Sequence, residues 1–165
     1  MRTERQLVRY NAWANRRVFD LCASVETERL RETDGGSLGS IEQTLKHMVG
    51  VEDVYLEMLR GREPGGGGGS REEYFAHDVP WFRARSEEVA DGYEALLDGR
   101  DEAWLEGTMR VPWFDFPMTL RDGLLQALMH SAQHRAQVFS VLGAQGVAVP
   151  DVDYVLMVGE KGGTG

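Results

Sequence analysis

The chain has 165 residues, of which 27 are acidic and 18 are Lys or Arg, so its formal net charge at pH 7 is -9. Hydrophobic residues make up 42% and charged residues 27%, which is ordinary for a globular protein and excludes a wholly disordered or fibrous chain. A surface this acidic repels DNA and anionic membranes, and the few basic pairs are surrounded by acids. We therefore predict one domain over residues 1–160, with neither nucleic acid nor a membrane as a partner.

The sequence also bears on the compartment. No apolar run approaches the ~18 residues that a membrane-spanning helix needs, and the N-terminal residues lead into an amphipathic helix instead of a signal peptide. The one cysteine, Cys22, excludes an intramolecular disulfide and agrees with a reducing compartment. Its position inside the first predicted helix favours a small buried hydrophobe over a nucleophile. We predict a cytoplasmic protein.

The first helix is predicted over residues 3–23, with Thr3 as its N-cap. Leu7, Val18 and other apolar residues recur on it at helical spacing and face a core. Residues 10–15 read Tyr-Asn-Ala-Trp-Ala-Asn, an aromatic and amide cluster. We interpret this cluster as packing against a neighbouring helix, with the amides forming hydrogen bonds across the contact.

The second helix is predicted to begin after a turn-rich connection, at a capping box of Ser40 and Gln43, and to run to Arg60. His47 shares a helical face with Val51 and further apolar residues. It therefore lies on or next to the side of the helix that faces the core.

The composition of the remaining segments predicts their conformation. Residues 61–70 contain five consecutive glycines and predict a flexible connection, since they lack the lysine and the strand of a phosphate-binding loop. A third helix is predicted over residues 81–97. Residues 106–117 hold two prolines among aromatic and β-branched residues, which favours extended structure or a small hairpin. Residues 151–158 fit a short helix or strand, and residues 161–165 should fray.

A fourth long helix is predicted to begin at a capping box of Thr119 and Asp122 and to end near Gly143. It carries His130 and His134, four residues apart and so one turn apart on one face, which is the spacing of metal ligands. Both fall in the apolar stripe, where an unsatisfied polar group costs about 1–3 kcal/mol. Hydrogen bonds to neighbouring helices or one shared metal ion would satisfy them.

A third ligand would decide between those two interpretations. His47 is the natural one, because it also lies at an apolar face. His77 stands in a predicted loop before Pro80, away from the other three histidines, and we leave it out of the site.

Four short motifs follow one another along the chain: Tyr-Asn-x-Trp-Ala-Asn at 10–15, Ser-Ile-x-x-Thr-Leu-x-His at 40–47 with Glu52 after it, His-x-x-x-His-Arg-x-Gln at 130–137, and Leu-Gly-x-x-Gly at 142–146. In this order they resemble the DinB/YfiT-like metalloprotein family over nearly the whole chain. The resemblance implies an all-α four-helix bundle, usually a homodimer, that binds a divalent metal through His47, His130 and His134. Related branches transfer low-molecular-weight thiols such as bacillithiol or mycothiol, or use such a thiol to isomerise a substrate.

Three neutral imidazoles would leave open positions on the ion, as catalytic sites do and structural sites do not. Zn²⁺ in such a site lowers the pKa of a bound water to about 7 or binds a thiol as thiolate, and nickel, iron or manganese also accept nitrogen ligands. Because the chain has no cysteine motif, a small-molecule thiol is the economical nucleophile. We predict a metal-dependent enzyme that transfers a thiol to an electrophile, with its catalytic residues unassigned.

Two alternatives remain open at this point. One is hydrolysis by a metal-activated water, and the other is a non-catalytic metal-binding or structural dimer, connected with a stress response. Glu52 is an unconvincing general base, because five residues place it about 140° round the helix from His47.

The fourth helix is apolar on a second side as well. With His130 at 0° on a helical wheel, Leu128, Phe139, Leu125 and Met129 fall at about 160° to 260°. A helix that is apolar nearly all round must be covered on both sides. We predict a two-fold homodimer that uses this face, with or without the first helix; a cover formed by the hairpin or the C-terminal tail is the alternative.

Overall fold

The computed structural model describes residues 1–32, 38–64 and 70–162, with side chains described up to Glu160. These residues form an all-α helical bundle with one small antiparallel hairpin. In chain order the elements are α1 (Arg2–Ala23), α2 (Thr27–Arg31), α3 (Ile41–Leu59), α4 (Arg71–Ala76), α5 (Val79–Leu97), α6 (Glu102–Leu105), β1 (Thr108–Arg110), β2 (Pro117–Thr119), α7 (Leu120–Ala144) and α8 (Tyr154–Gly162). Within these ranges, no helix has both the length and the apolar composition that crossing a membrane would require.

The four long helices α1, α3, α5 and α7 make the bundle. α3 packs on α5 and on α7, and α1 packs on the same two helices from the other side, so α1 and α3 occupy opposite corners. Apolar side chains fill the bundle in two clusters. One includes Tyr93, Leu97, Leu105 and Leu124, and the other includes Phe19, Ile41, Leu45, Phe82 and Leu142.

Side-chain caps set where α3 and α7 begin. The Ser40 hydroxyl accepts a hydrogen bond from the Gln43 N–H at 3.2 Å, which confirms the predicted start of α3. Thr119 and Asp122 cap α7 reciprocally, as the sequence predicts. The predicted N-cap at Thr3 is wrong, because α1 begins at Arg2.

α5 begins two residues before its predicted start. The Asp78 side chain accepts from the N–H of Trp81 at 3.0 Å, and Pro80 stands in the first turn, where its missing N–H has no helical partner to lose. Three short helices, α2, α4 and α6, were not predicted. Within the predicted connection at 61–70, Ser70 is the N-cap of α4, and residues 65–69 lie outside the described residues.

The predicted hairpin before the last long helix is confirmed. β1 and β2 are antiparallel, with Met109 opposite Met118. The side chain of Met109 lies so close to α7 at Gly123 that a Cβ on this glycine would overlap its sulfur. The hairpin therefore packs on the first turns of α7, and Met109 and Val111 join the same core cluster as Leu124.

The C-terminal segment forms a helix, which settles the helix-or-strand alternative for residues 151–158. In α8, Met157 packs against Trp13 and Ala14 of α1. The Tyr10 hydroxyl donates to the Val152 carbonyl at 2.9 Å just before α8. α8 continues through residue 162, into the tail predicted to fray at 161–165, and residues 163–165 lie outside the described residues.

The predicted second apolar face of α7 is largely covered within the chain. Leu128 is buried in the same cluster as the hairpin residues, while Leu125 and Phe139 are half-buried. Of the four residues proposed for that face, Met129 is the exposed one, at 54%. The physical reason is that the buried arc of α7 is centred about 90° away from His130 on the wheel. The histidines lie at one edge of the core face and Leu128 lies at the other.

Candidate metal centre

Three histidines converge between α3 and α7. The Nε2 atom of His130 lies 3.1 Å from that of His47 and 3.1 Å from that of His134. α3 supplies His47, and one turn of α7 supplies the other two, so the structure brings together the three residues that the sequence singled out.

Hydrogen bonds alone cannot satisfy this arrangement. A neutral ring nitrogen carries either one proton or one lone pair, so the Nε2 of His130 can donate to one neighbour or accept from one, but not form a hydrogen bond with both. The Nδ1 atom of His130 is also buried without a hydrogen-bond partner among the described residues. A cation at the centre would take up all three Nε2 lone pairs at once, so the donor set fits a metal ion.

Burial and neighbouring groups keep two of the rings, His47 and His130, neutral. Burial first, and then the neighbouring His134 and His47, lower the pKa of His130 to about 4. The pKa of His47 is also lowered, by burial first and then by His134 and Arg71. At pH 7 these two imidazoles are therefore unprotonated, which is the form that binds a metal.

Gln137 orients one of the rings. Its side-chain oxygen lies 2.7 Å from the Nδ1 of His134. Because an amide oxygen only accepts, the proton of His134 is on Nδ1 and the lone pair of Nε2 points at the other two histidines.

The spacing of the nitrogens agrees with a common ion. Two nitrogens that each lie ~2.0–2.1 Å from one metal are about 3.3 Å apart in tetrahedral and about 2.9 Å apart in octahedral geometry. The 3.1 Å observed from His130 to each of the other two nitrogens lies between these values and does not choose between them, and all three ligand atoms lie within 4.8 Å of one another.

The site is open to solvent on one side. His47 and His130 are half-buried, whereas His134 is buried on the core side. A groove of about 850 Å³ adjoins His47, and the basic side chains of Lys46 and Arg71 line it. A small molecule can therefore approach the histidines from the His47 side.

A second polar cluster lies beside the histidines, in the centre of the bundle. Glu52 is 1% exposed, and its carboxylate accepts from the side-chain amides of Asn11 at 2.6 Å and Asn15 at 3.0 Å and from the hydroxyl of Ser131. The amide oxygens of Asn11 and Asn15 in turn accept from Arg135, each at 2.6 Å. We call these five side chains the core network.

The sequence predicted only part of the core network. Hydrogen bonding by the amides of α1 across to another helix is confirmed by their contacts with Glu52. Ser131 and Arg135 were missed. The signal for them was their place on the wheel, at about 100° and 140°, within the arc that turned out to be most buried.

His77 and Cys22, which are not in the site predicted from the sequence, lie away from the three histidines in the structure. His77 stacks on Trp81, with ring centroids 4.1 Å apart and an interplanar angle of 9°. Cys22 is buried in an apolar cluster, and burial raises its thiol pKa to about 12, so it is not a nucleophile.

A family model matches almost the entire chain. The match is to the DinB family and covers residues 1–161. The chain belongs to the DinB family. The resemblance found in its motifs is thereby confirmed, and none of the curated proteins matches the chain.

Among solved structures, this member of the DinB family is similar to a DinB-like protein, YjoA, from Bacillus subtilis. The two are 15% identical, with a TM-score of 0.67 over 90% of this chain and 98% of that chain. At this identity the likeness shows a shared fold and carries no statement about the reaction.

Proposed function

We propose that His47, His130 and His134 bind one divalent metal ion. The observation that carries the proposal is the convergence of three Nε2 atoms, which hydrogen bonds among the rings cannot satisfy. Nitrogen ligands suit Zn²⁺, and they also suit nickel, iron and manganese.

We further propose that the protein transfers a low-molecular-weight thiol to an electrophile. A bound divalent ion supplies a Lewis acid that favours the thiolate form of a thiol. The thiol has to come from outside the chain, because the single cysteine, Cys22, is buried. In the overall reaction a carbon–sulfur bond forms, the bond from that carbon to its leaving group breaks, and the thiol proton departs with the leaving group. The open groove beside His47 gives both reactants access.

The test combines metal analysis with a thiol panel. Untagged protein should contain close to one metal ion per chain, and the loaded protein should accelerate conjugation of bacillithiol, mycothiol, glutathione or coenzyme A to an electrophilic aryl halide. His130→Ala should lose both the metal and the rate while staying folded. Background rates with the whole panel, in protein shown to hold metal, would contradict the transferase proposal.

If the thiol panel gives only background rates, two other functions are the alternatives. Turnover of an ester or amide without a thiol would favour hydrolysis by a metal-activated water. Metal without turnover of either kind would favour a binding or structural role.

We also propose a homodimer. Apart from Met129, large exposed side chains of the described residues include Trp113 and Phe116 at the tip of the hairpin, each more than half exposed. Apolar side chains of this size commonly mark an interface. Sedimentation should give a dimer for the wild type and a metal-binding monomer for a Met129→Glu, Trp113→Glu variant. A wild-type monomer at micromolar concentration would overturn this proposal.

A further inference from the structure

The core network includes a residue of α7 that lies between the two histidines of that helix. Ser131 lies on α7 between His130 and His134, fully buried, and its hydroxyl donates to the Glu52 carboxylate. Glu52 lies on α3, five residues after His47. Besides the packing of α3 on α7, the Ser131–Glu52 hydrogen bond therefore joins the helix with one histidine to the helix with two.

The charge of the Glu52 carboxylate strengthens its hydrogen bond to Ser131. A buried charge is costly unless it is hydrogen-bonded, so Glu52 holds its partners in place more strongly than a neutral acceptor would. It reaches Asn11 and Asn15 on α1, at the opposite corner of the bundle, and Ser131 on α7. Arg135, one turn further along α7, closes the network through the same two amides.

The histidine site is sensitive to the position of α7 along α3. A slip by one residue moves one helix by ~1.5 Å relative to the other, which is half of the 3.1 Å between the Nε2 atoms of His47 and His130. A metal site needs its ligand distances to within about 0.2 Å. The network, which would lose its own hydrogen bonds in such a slip, opposes it.

We propose that Glu52 is a positioning residue for the histidine centre: through Ser131 it fixes the register of α7 on α3 and thereby the affinity and geometry of metal binding. This inference rests on the proposal that His47, His130 and His134 bind a metal. It assigns Glu52 no contact with the metal or the substrate.

The chain offers a matched control in the next residue. Asp53 is also a buried carboxylate of α3, but its partners are Arg85 of α5, at 2.8 and 2.9 Å, and the Tyr74 hydroxyl of α4, at 3.1 Å. It stabilises the fold on the side away from α7. Loss of Asp53 should cost stability without disturbing the histidines.

The experiment compares Ser131→Ala, Glu52→Gln and Asp53→Asn with the wild type. Each protein is stripped of metal and titrated with Co²⁺, whose visible ligand-field absorption reports coordination geometry, and its urea unfolding is measured with chelator present. We expect Ser131→Ala and Glu52→Gln to bind Co²⁺ about tenfold or more weakly with an altered spectrum. Asp53→Asn should be less stable and yet keep the wild-type affinity and spectrum.

The outcomes separate this inference from the proposed function. Wild-type protein that binds no Co²⁺ would overturn the proposed metal site and this inference with it. Wild-type affinity and spectrum in Ser131→Ala would overturn the inference alone, and so would an equal loss of affinity in Asp53→Asn. Should Glu52→Gln fail to fold, the Ser131→Ala result decides. This variant removes one hydroxyl and leaves the Glu52 carboxylate hydrogen-bonded to the amides of Asn11 and Asn15.

Discussion

The histidine centre and the core network are neighbouring polar clusters in one bundle, and they differ in how their polar atoms are satisfied. Among the described residues, no side-chain atom of the network is buried without a hydrogen-bond partner. The histidine centre has a buried nitrogen without one and two ring contacts that cannot both be hydrogen bonds. The network thus completes its own hydrogen bonds, whereas the histidine centre leaves ring nitrogens that fit an ion from outside the chain. Stability measurements should therefore separate the two.

The largest effect is expected from Arg135→Ala. Arg135 is 3% exposed, and its removal leaves the buried charge of Glu52 without a compensating cation in the network. Breaking such a buried arrangement costs about 3–5 kcal/mol. Urea unfolding with chelator present measures the loss. In the control Arg83→Ala, which removes an exposed ion pair with Asp20, the cost should stay below about 1 kcal/mol. Equal costs in both variants would contradict the special place of the network.

Metal binding should stabilise the wild type by about as much as Arg135→Ala destabilises it. With free ion at about 1,000 times its dissociation constant, binding to the folded state contributes about 4 kcal/mol. Thermal unfolding should therefore shift upward with metal and return with chelator. His130→Ala should show no such shift, and its chelated form should unfold close to the chelated wild type. A metal-dependent shift that persists in His130→Ala would place the ion elsewhere.

A smaller effect is expected from Gln137→Ala. Its side chain holds the Nδ1 proton of His134, and loss of such an orienting partner typically lowers metal affinity 10–100-fold. The chelated protein should keep nearly its full stability, because the change removes a half-buried contact. Gln133→Ala, an exposed position on the same helix, is the control, and competition with a metal indicator measures both. Unchanged affinity in Gln137→Ala would show that packing alone orients His134.

The smallest effect concerns Cys22. With its thiol pKa raised to about 12 by burial and 1% of its surface exposed, it should react with iodoacetamide at pH 8 only when the chain opens. Labelling followed by mass spectrometry should therefore run at the same rate in wild type and in His130→Ala, both chelated. Arg135→Ala should label faster. Faster labelling in His130→Ala would mean that the histidines support the fold as the network does.

The histidine centre could be predicted because its chemistry is rare and its spacing is regular. The chain has four histidines, two of them one helical turn apart, and a third on an apolar face of another helix. The long helices were equally accessible, since their apolar repeats and the caps at Ser40 and Thr119 agree.

The rest depended on contacts that one sequence does not display. The wheel shows that α7 is apolar on most sides, but only packing against α3 and the hairpin decides which arc is buried. The sequence therefore placed the histidines within the apolar stripe without showing that they lie at its edge. Two of the three short helices, α4 and α6, begin at side-chain caps at Ser70 and Asp101, which periodicity does not reveal. The sequence predicted the hydrogen bonding of the α1 amides but not the part played by Ser131 and Arg135. These two look like ordinary surface residues of a helix until their partners are known.

The separation of the ligands along the chain has a consequence for the order of events during synthesis. His47 and His130 are 83 residues apart, and the intervening stretch includes all of α5 and the hairpin. A growing chain made from its N-terminus therefore carries only one of the three converging histidines for about half of its synthesis and gains the other two late. An ion held by all three histidines would therefore be acquired only by a chain that has already brought α3 and α7 together. On the proposed metal site, a cell short of the metal would accumulate folded protein without the ion.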